Sequence, residues 1–273
     1  MREGRAIDNY KTSRSYEESV PLYDKKLKGI YYTPKIIVSY ILEEIILNHD
    51  IVENPEPRIL DLSCGCGNFL LEAYDLLYKL IEKSMDKIKI KYGQYYIKDI
   101  GEHIVNKCIY GIDTDKEAIN ILKKSLIKKA LKNGNEEKDI SKINHNIICE
   151  DALKKKYSMK FNYIIGNPPY VGHKMLDKNY KKFLLEEYKD VYRDKADLYF
   201  CFYKKSLDVI DKNGKIGLIT PRYFLESPSG KPLRHYLFEN SIIHKIIDLN
   251  GIKVFENLGV SPLILIFSNK NFL

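Results

Sequence analysis

The segment Ile59-Leu60-Asp61-Leu62-Ser63-Cys64-Gly65-Cys66-Gly67-Asn68 decides the fold. It opens with a short apolar run typical of a buried strand, and apolar residues at helical spacing follow it from Phe69 to Leu80. Glycines between a strand and a helix let a ligand approach the backbone closely. Leu70 stands where the dinucleotide-binding pattern G-x-G-x-x-G needs glycine, so that pattern is absent. The segment therefore predicts a strand, a ligand-binding turn and a helix.

Short apolar strands and amphipathic helices alternate along the rest of the chain. The predicted strands are 58–62, 108–113, 146–150, 161–166, 215–220, 242–249 and 263–267. The predicted helices are 116–131, 176–188, 196–210, 233–239 and a first one with Thr33 as its cap and Pro34 at its first position. Residues 84–107 and 132–145, rich in lysine and asparagine, are predicted to be surface connections. This alternation predicts an α/β fold with a mostly parallel sheet and helices on both faces.

Composition excludes some classes of protein but does not identify one. The 273 residues carry 45 Lys plus Arg against 37 Asp plus Glu, and this net charge of +8 permits a phosphate-rich partner without requiring one. No apolar run approaches the roughly 20 residues of a membrane-spanning helix, and the N-terminus lacks a signal sequence. The five cysteines do not form a disulfide framework, and Cys64 and Cys66 lack the second pair of a zinc site. We therefore expect a cytoplasmic protein with neither a membrane segment nor a metal site.

Acidic residues end the second and third predicted strands. Asp113 could accept both hydroxyls of a ribose, although it could instead cap the following helix, a role for which Asp115 competes. Asp151 could accept the exocyclic amine of an adenine, although a loop aspartate is more often only solvated. Together with the glycine turn, the two acids favour an adenosine whose tail carries a carboxylate, as in S-adenosylmethionine.

The tetrapeptide Asn167-Pro168-Pro169-Tyr170 follows the fourth strand. Its two prolines remove backbone donors and restrict the turn, so carbonyl oxygens should project into the crevice at the strand ends. Asn167 adds an amide carbonyl, and Tyr170 adds a ring face. This set suits a planar substrate with an NH2 group, although a proline-rich turn can also be purely structural.

These motifs, in this order, resemble those of S-adenosylmethionine-dependent DNA adenine-N6 methyltransferases. The segments that match are 60–71, 111–115, 150–153 and 162–170, with weaker matches at 29–34, 197–199, 217–221 and Phe255. The likeness is closest to the catalytic domain of clostridial orphan adenine methyltransferases and of fused restriction-modification enzymes of the NPPY type, whose recognition region is C-terminal. Leu62 and Cys66 depart from the usual residues of the pattern.

The resemblance implies a Rossmann-like class I methyltransferase fold with a seven-stranded sheet whose last strand is antiparallel. It implies catalysis by Asn167, Pro168, Pro169 and Tyr170. It implies a cofactor site made of Tyr32, Thr33, Asp61, Ser63, Cys64, Gly65, Gly67, Asn68, Asp113, Thr114, Asp151, Ala152 and Asn167. Tyr170 and Phe255 are expected to hold a flipped-out adenine, and we expect Lys174, Lys178, Lys181 and Lys182 to meet DNA phosphates, with Arg222 as a lesser candidate.

Residues 1–28 are expected to form an N-terminal arm and residues 29–273 the catalytic domain. Enzymes of this kind usually continue into a target-recognition domain, which we expect to be missing from this chain and to act as a partner in full activity. Two alternatives stay open. One is a methyltransferase acting on a release-factor glutamine or ribosomal RNA, since the same tetrapeptide occurs there. The other is a non-catalytic DNA-binding subunit with the same fold.

Overall fold

The computed structural model describes residues 32–132, 146–193, 195–252, 254–255 and 259–270. The helices are α1 (Lys35–Ile46), α2 (Asn68–Tyr92), α3 (Ile100–His103), α4 (Lys116–Lys132), α5 (Lys178–Glu187), α6 (Tyr199–Val209) and α7 (Lys231–Asn240). The strands are β1 (Ile59–Asp61), β2 (Ile109–Asp113), β3 (Ile147–Cys149), β4 (Phe161–Gly166), β5 (Ile210–Pro221), β6 (Ser241–Asp248) and β7 (Pro262–Asn269). The proposed N-terminal arm 1–28 and most of the connection 132–145 lie outside the described residues.

The seven strands form one sheet in the order β3-β2-β1-β4-β5-β7-β6. The first five strands in this order are parallel to one another, and β7 is antiparallel to both of its neighbours. The chain turns back across the sheet between β1 and β4, which makes this pair the topological switch point. The predicted fold class is confirmed, and it places the ends of β1, β2, β3 and β4 at one edge.

Burial of the parallel strands holds the centre of the molecule together. Ile59, Leu60, Ile164 and Ile165 are fully buried, as expected for strands that helices cover on both faces. Helix α1 packs so closely on β5 that a Cβ at Gly217 would lie 2.7 Å from Ile41 Cγ2. No described helix is both long and apolar enough to cross a membrane.

The prediction of a surface connection over residues 84–107 holds only for residues 93–99, which are mostly exposed and lie between two helices, and is wrong for the rest. Helix α2 continues to Tyr92, because Ile81 and Ile88 keep its apolar face buried beyond the first turns. A short helix and a π-helical turn, Ile104–Cys108, then lead into β2. The lysines that suggested a loop lie on the solvent side of an amphipathic helix.

Two glycines shape the turn between β1 and α2. Gly65 and Gly67 have φ angles of +50° and +92°. These lie in the left-handed region, which costs free energy for any residue that carries a Cβ. A Cβ on Gly67 would lie 2.1 Å from Leu122 Cδ1 of α4, whereas a Cβ on Gly65 would meet nothing within 4 Å. Gly67 therefore allows α2 and α4 to pack closely. The sequence had placed this glycine in the cofactor site instead.

We expect Gly67→Ala to destabilise the fold more than Gly65→Ala. Both variants bear the left-handed strain of about 1–2 kcal/mol, but only Gly67→Ala adds overpacking, typically about 1–3 kcal/mol. Urea unfolding of the two variants measures the difference. Equal losses of unfolding free energy would contradict the packing role of Gly67.

Candidate active site

A cavity of about 370 Å³ lies at the carboxyl ends of the parallel strands. Its volume falls within the range of small-molecule sites. The predicted site residues that line it are Thr33, Asp61, Ser63, Cys64, Gly65, Asn68, Asp113, Thr114, Asp151, Ala152, Asn167 and Pro169. The structure thus brings together residues separated by more than one hundred positions in the sequence.

The titratable side chains of the cavity wall include several acids and no bases. Five carboxyl groups line the cavity, namely those of Asp61, Asp113, Asp115, Glu150 and Asp151, and none of the described lining residues is Lys, Arg or His. No group of three described His, Cys, Asp or Glu side chains is arranged to hold a metal ion. A ligand that carries positive charge therefore suits this cavity better than a phosphate-bearing one.

Backbone donors hold the carboxylates at the ends of β1 and β2. Asp61 Oδ1 accepts the Ser63 N–H at 2.9 Å, and Asp113 Oδ2 accepts the Gly65 N–H at 2.8 Å. Asp113 Oδ1 accepts the Asp115 N–H at 2.9 Å. Asp113 thereby joins its own turn to the glycine turn of the neighbouring strand.

Burial sets the protonation state of these acids. Asp61 is 2% exposed, and burial, reinforced by the nearby Asp113 carboxylate, raises the pKa of Asp61 to about 8 against the opposing Ser63 N–H. Burial also raises the pKa of Asp113, with the Asp115 and Gly65 N–H groups opposing it. A positive charge in the cavity would favour the ionised form of both groups.

Asn167 is fixed by residues from three parts of the chain. Its Nδ2 donates to Thr33 Oγ1 at 3.0 Å, its Oδ1 accepts from the Tyr170 hydroxyl, and its backbone carbonyl accepts from Ser63 Oγ at 3.3 Å. The predicted cap is corrected here, because Pro34 occupies the N-cap position of α1 and Thr33 does not cap that helix. Thr33 is 3% exposed, and its hydroxyl orients the Asn167 amide instead.

Tyr170 and Phe255 do not frame an open slot for a base. Their rings contact each other edge to face, with centroids 6.2 Å apart and an angle of 73°, and the residues are 9% and 5% exposed. The Tyr170 hydroxyl also lies 3.3 Å from the Ile219 carbonyl oxygen, which gives it a second acceptor. A base could stack on Tyr170 only after these rings separate.

Several predicted residues lie outside the cavity lining. Tyr32, Gly67, Pro168, Tyr170 and Phe255 are not part of it, and neither are the predicted phosphate contacts. Lys174, Lys178 and Lys182 are exposed, and Lys181 is half-buried. Lys182 Nζ lies 3.9 Å from Glu186, and Arg222 pairs with Glu226 at 2.6 Å and with Asp248 at 3.0 Å. Arg222 is therefore already neutralised within the chain.

Sequence reasoning missed part of the wall. Leu176, Tyr180, Leu198 and Phe202 also line the cavity, and the Tyr180 hydroxyl hydrogen-bonds with Asp151. Of these four residues, only Leu198, which lies within the weak match at 197–199, carried a signal in the sequence. Gly166 was missed as well, although a Cβ there would lie 2.7 Å from Asp61 Oδ1 and its φ is +148°. This glycine lets the exit of β4 pass against the buried carboxylate.

The strand order, with the cavity at its switch point, defines the class I methyltransferase fold. The family model for the Eco57I restriction-modification methylase matches residues 107–255, more than half of the chain. The chain therefore belongs to the Eco57I restriction-modification methylase family. The family predicted from the motifs is confirmed.

Similar proteins include the type II methyltransferase M.BstVI of Geobacillus stearothermophilus, which is 31% identical over 93% of this chain and 44% of its own length. The type II restriction enzyme and methyltransferase RM.Eco57I of Escherichia coli is 27% identical over 89% of this chain and 28% of its own length. The chain thus spans less than half the length of these relatives. The type IIL restriction-modification enzyme MmeI, solved in complex with DNA, shares the fold with a TM-score of 0.69 and 19% identity, over 91% of this chain and 38% of that one.

We expect Asp61→Asn to flatten the pH dependence of stability. The Asp61 carboxyl stays protonated up to about pH 8 in the folded protein, whereas in the unfolded chain it ionises near pH 4, a value of about 3.9 being usual. Between these pH values the folded state binds more protons, so the free energy of unfolding falls as the pH rises. An asparagine of the same shape does not ionise. Urea unfolding across this window measures the slope.

A matched control is Asp50→Asn. Asp50 is an exposed carboxylate whose pKa is lowered by the Glu53 N–H donor. In Asp50→Asn the free energy of unfolding should therefore still fall as the pH rises. If Asp61→Asn and the unchanged protein lost stability in parallel as the pH rises, the raised pKa of Asp61 would be contradicted.

Proposed function

We propose that this chain transfers a methyl group from S-adenosylmethionine to N6 of a flipped-out adenine in DNA. Membership of a restriction-modification methylase family supports the reaction class. The observation that carries the proposal is the Asn167 amide, which Thr33 holds beside a cavity lined by carboxylates and, among the described residues, by no basic group.

The chemistry of the donor set fits this cofactor. S-adenosylmethionine, when bound, supplies an electrophilic methyl group on a positively charged sulfur, and its amino-acid tail adds an ammonium group. Asp61 lies in the cavity as a buried carboxyl that a positive charge would ionise. Thr33 and the turn from Ser63 to Gly65 would hold the methionine part, and the open space over Gly65 permits close approach to the backbone.

The adenosine end would lie along the ends of β2 and β3. Asp113, which the Gly65 and Asp115 N–H groups orient, would accept the ribose hydroxyls. Asp151 would accept the adenine amine, with Ala152 packed against the ring. The Tyr180 hydroxyl, which hydrogen-bonds with Asp151, would fix the direction of that carboxylate. A nucleotide with phosphates would instead meet five carboxylates and no described basic residue in the wall.

The target adenine has to leave the duplex, because its N6 is otherwise held in a base pair and a stack. Asn167 Oδ1 and the Pro168 carbonyl would accept the two N6 hydrogens. Asn167 Oδ1 already accepts from the Tyr170 hydroxyl, and its second lone pair would accept the N6 hydrogen. The Ile219 carbonyl at 3.3 Å offers the Tyr170 hydroxyl another acceptor. Separation of the Tyr170 and Phe255 rings would open a place for the base to stack.

Acceptance of both N6 hydrogens directs the N6 lone pair out of conjugation with the ring and toward the methyl donor. Catalysis then depends mainly on position and on preorganised dipoles. The carbonyls of Asn167 and Pro168 would disperse the positive charge that develops on N6. As the bond from N6 to the methyl carbon forms, the bond from that carbon to sulfur would break, and S-adenosylhomocysteine would leave as a neutral thioether. N6 would then release one proton to water. No strong general base is needed before the attack.

We also propose that DNA is the partner and that a target-recognition domain acts together with this domain. The relatives are more than twice as long as their matched part, which leaves room for such a domain in them. Lys174 and Lys178 are exposed directly after the catalytic turn and would contact phosphates. Without a recognition domain we expect weak methylation with little sequence preference.

We expect Asn167→Ala to abolish methylation while cofactor affinity stays in the micromolar range, near −8 kcal/mol, about the value for a micromolar Kd. The variant loses the acceptor of an N6 hydrogen but keeps Asp61 and Asp113. Incubation of unmethylated DNA with labelled cofactor, followed by nucleoside mass spectrometry, measures N6-methyladenine. Calorimetry measures the affinity.

Asn213→Ala is the matched control, because Asn213 is exposed near the amino end of β5, away from the cavity. It should methylate at the rate of the unchanged protein. Undiminished methylation by Asn167→Ala, or methyl transfer to a base other than adenine, would overturn the proposed function.

A further inference from the structure

Asp197 is a buried carboxylate next to the cavity to which the proposed reaction gives no part. It is 7% exposed and lies two residues before the start of α6. Its neighbour Leu198 lines the cavity, but Asp197 does not. A carboxylate is costly to bury unless hydrogen-bond donors surround it.

The contacts of Asp197 lead to the exit of the catalytic turn. Its Oδ1 accepts the Val171 N–H at 3.0 Å, and Val171 directly follows Tyr170. The Leu198 N–H donates to the Val171 carbonyl at 3.1 Å, and Gly172 forms an antiparallel bridge with Asp197. The side chain and backbone at 197–198 thus hold both polar backbone groups of Val171.

Further donors join Asp197 to two other segments. The Tyr199 N–H at 3.3 Å comes from the first turn of α6. The Tyr223 hydroxyl, which also hydrogen-bonds with Asp197, comes from the helical turn Arg222–Leu225 that follows β5. One carboxylate therefore ties three segments together behind the catalytic turn.

The sequence of the turn explains why it needs such support. Pro168 and Pro169 have no backbone N–H, so neither can donate a hydrogen bond that fixes the turn. Val171 is the first residue beyond the tetrapeptide with an N–H. A fixed Val171 limits the movement of Tyr170, whose hydroxyl contacts Asn167 Oδ1.

We propose that Asp197 is a positioning residue that fixes the catalytic turn through Val171 and so aligns Asn167 with the adenine amine. This inference rests on the proposed function. Loss of the Asp197 carboxylate should therefore lower the rate of methyl transfer. It should not alter the carboxylates that bind the cofactor.

Burial raises the pKa of Asp197 to about 6, with the Tyr199 N–H, the Tyr223 hydroxyl and the Val171 N–H opposing the shift. The titratable groups that face it are Tyr192, Tyr199, Cys201 and Tyr223. As the pH falls through about 6, Asp197 becomes protonated and its hydrogen bonds to these donors weaken.

The test is the methylation rate of Asp197→Asn at saturating cofactor, measured on unmethylated DNA as a function of pH. Asparagine keeps the size of the side chain but does not titrate, and its NH2 group cannot accept from Tyr223. We expect kcat to fall about tenfold or more near neutral pH, since small misplacements of reacting groups are costly. The Kd for S-adenosylmethionine should change less than threefold.

The pH profile separates positioning from a purely structural role. The unchanged protein should lose activity as the pH falls through about 6, which gives its pH profile an acidic limb. The profile of Asp197→Asn should lack this limb. Asp61 and Asp113 titrate in both proteins, so the ratio of the two profiles isolates Asp197. Tyr223→Phe, at an exposed residue, removes one donor that lowers the pKa of Asp197 and should move the limb to higher pH.

Tyr192→Phe is the matched control. It removes a buried hydroxyl near Asp197 that has no hydrogen-bond partner among the described residues, and it should leave rate and profile unchanged. The proposal is overturned if Asp197→Asn keeps the original kcat and pH profile, or if its loss lies entirely in cofactor affinity, or if Tyr223→Phe leaves the limb in place. If the unchanged protein forms no N6-methyladenine, the proposed function itself fails.

Discussion

The burial of Asp61 at the end of β1, beside Asp113 at the end of β2, is the constraint on which the site depends. Two carboxylates in one cavity repel each other, and burial disfavours their charged forms. The glycine turn offsets this in part by aiming backbone N–H groups at them. Near neutral pH the remaining cost is avoided because Asp61 stays protonated. A ligand that brings positive charge would favour the ionised form instead.

The catalytic turn depends on this arrangement from the other side of the switch point. Gly166 allows the exit of β4 to pass Asp61, and Asn167 then reaches Thr33 in a segment 134 positions earlier. Two hydroxyl groups near the catalytic turn could therefore serve either the stability of the fold or the proposed catalysis. The Thr33 hydroxyl could have capped α1, and the Tyr170 hydroxyl contacts the oxygen that the adenine amine needs.

Much of this could be predicted from the sequence, because it depends on local order. The apolar strand before Asp61, the acid after each following strand and the prolines after Asn167 predict one crevice, since the carboxyl ends of parallel strands share an edge. Tyr180, Leu176 and Phe202 could not be found in this way. Tyr180 and Phe202 reach the cavity through the packing of α5 and α6, and Leu176 lies in the segment just before α5. No short motif encodes this packing, and the length of α2 likewise depended on the burial of Ile88.

If a positively charged ligand binds in this cavity, it should convert Asp61 from its protonated to its ionised form. Calorimetric titration of S-adenosylmethionine near neutral pH, in buffers that differ in ionisation enthalpy, measures the protons exchanged on binding. Since the pKa of Asp61 is raised to about 8 without ligand, we expect the protein to release protons, approaching one per ligand, and Asp61→Asn to release fewer. Binding without proton release, or equally tight binding of ATP, would contradict this expectation.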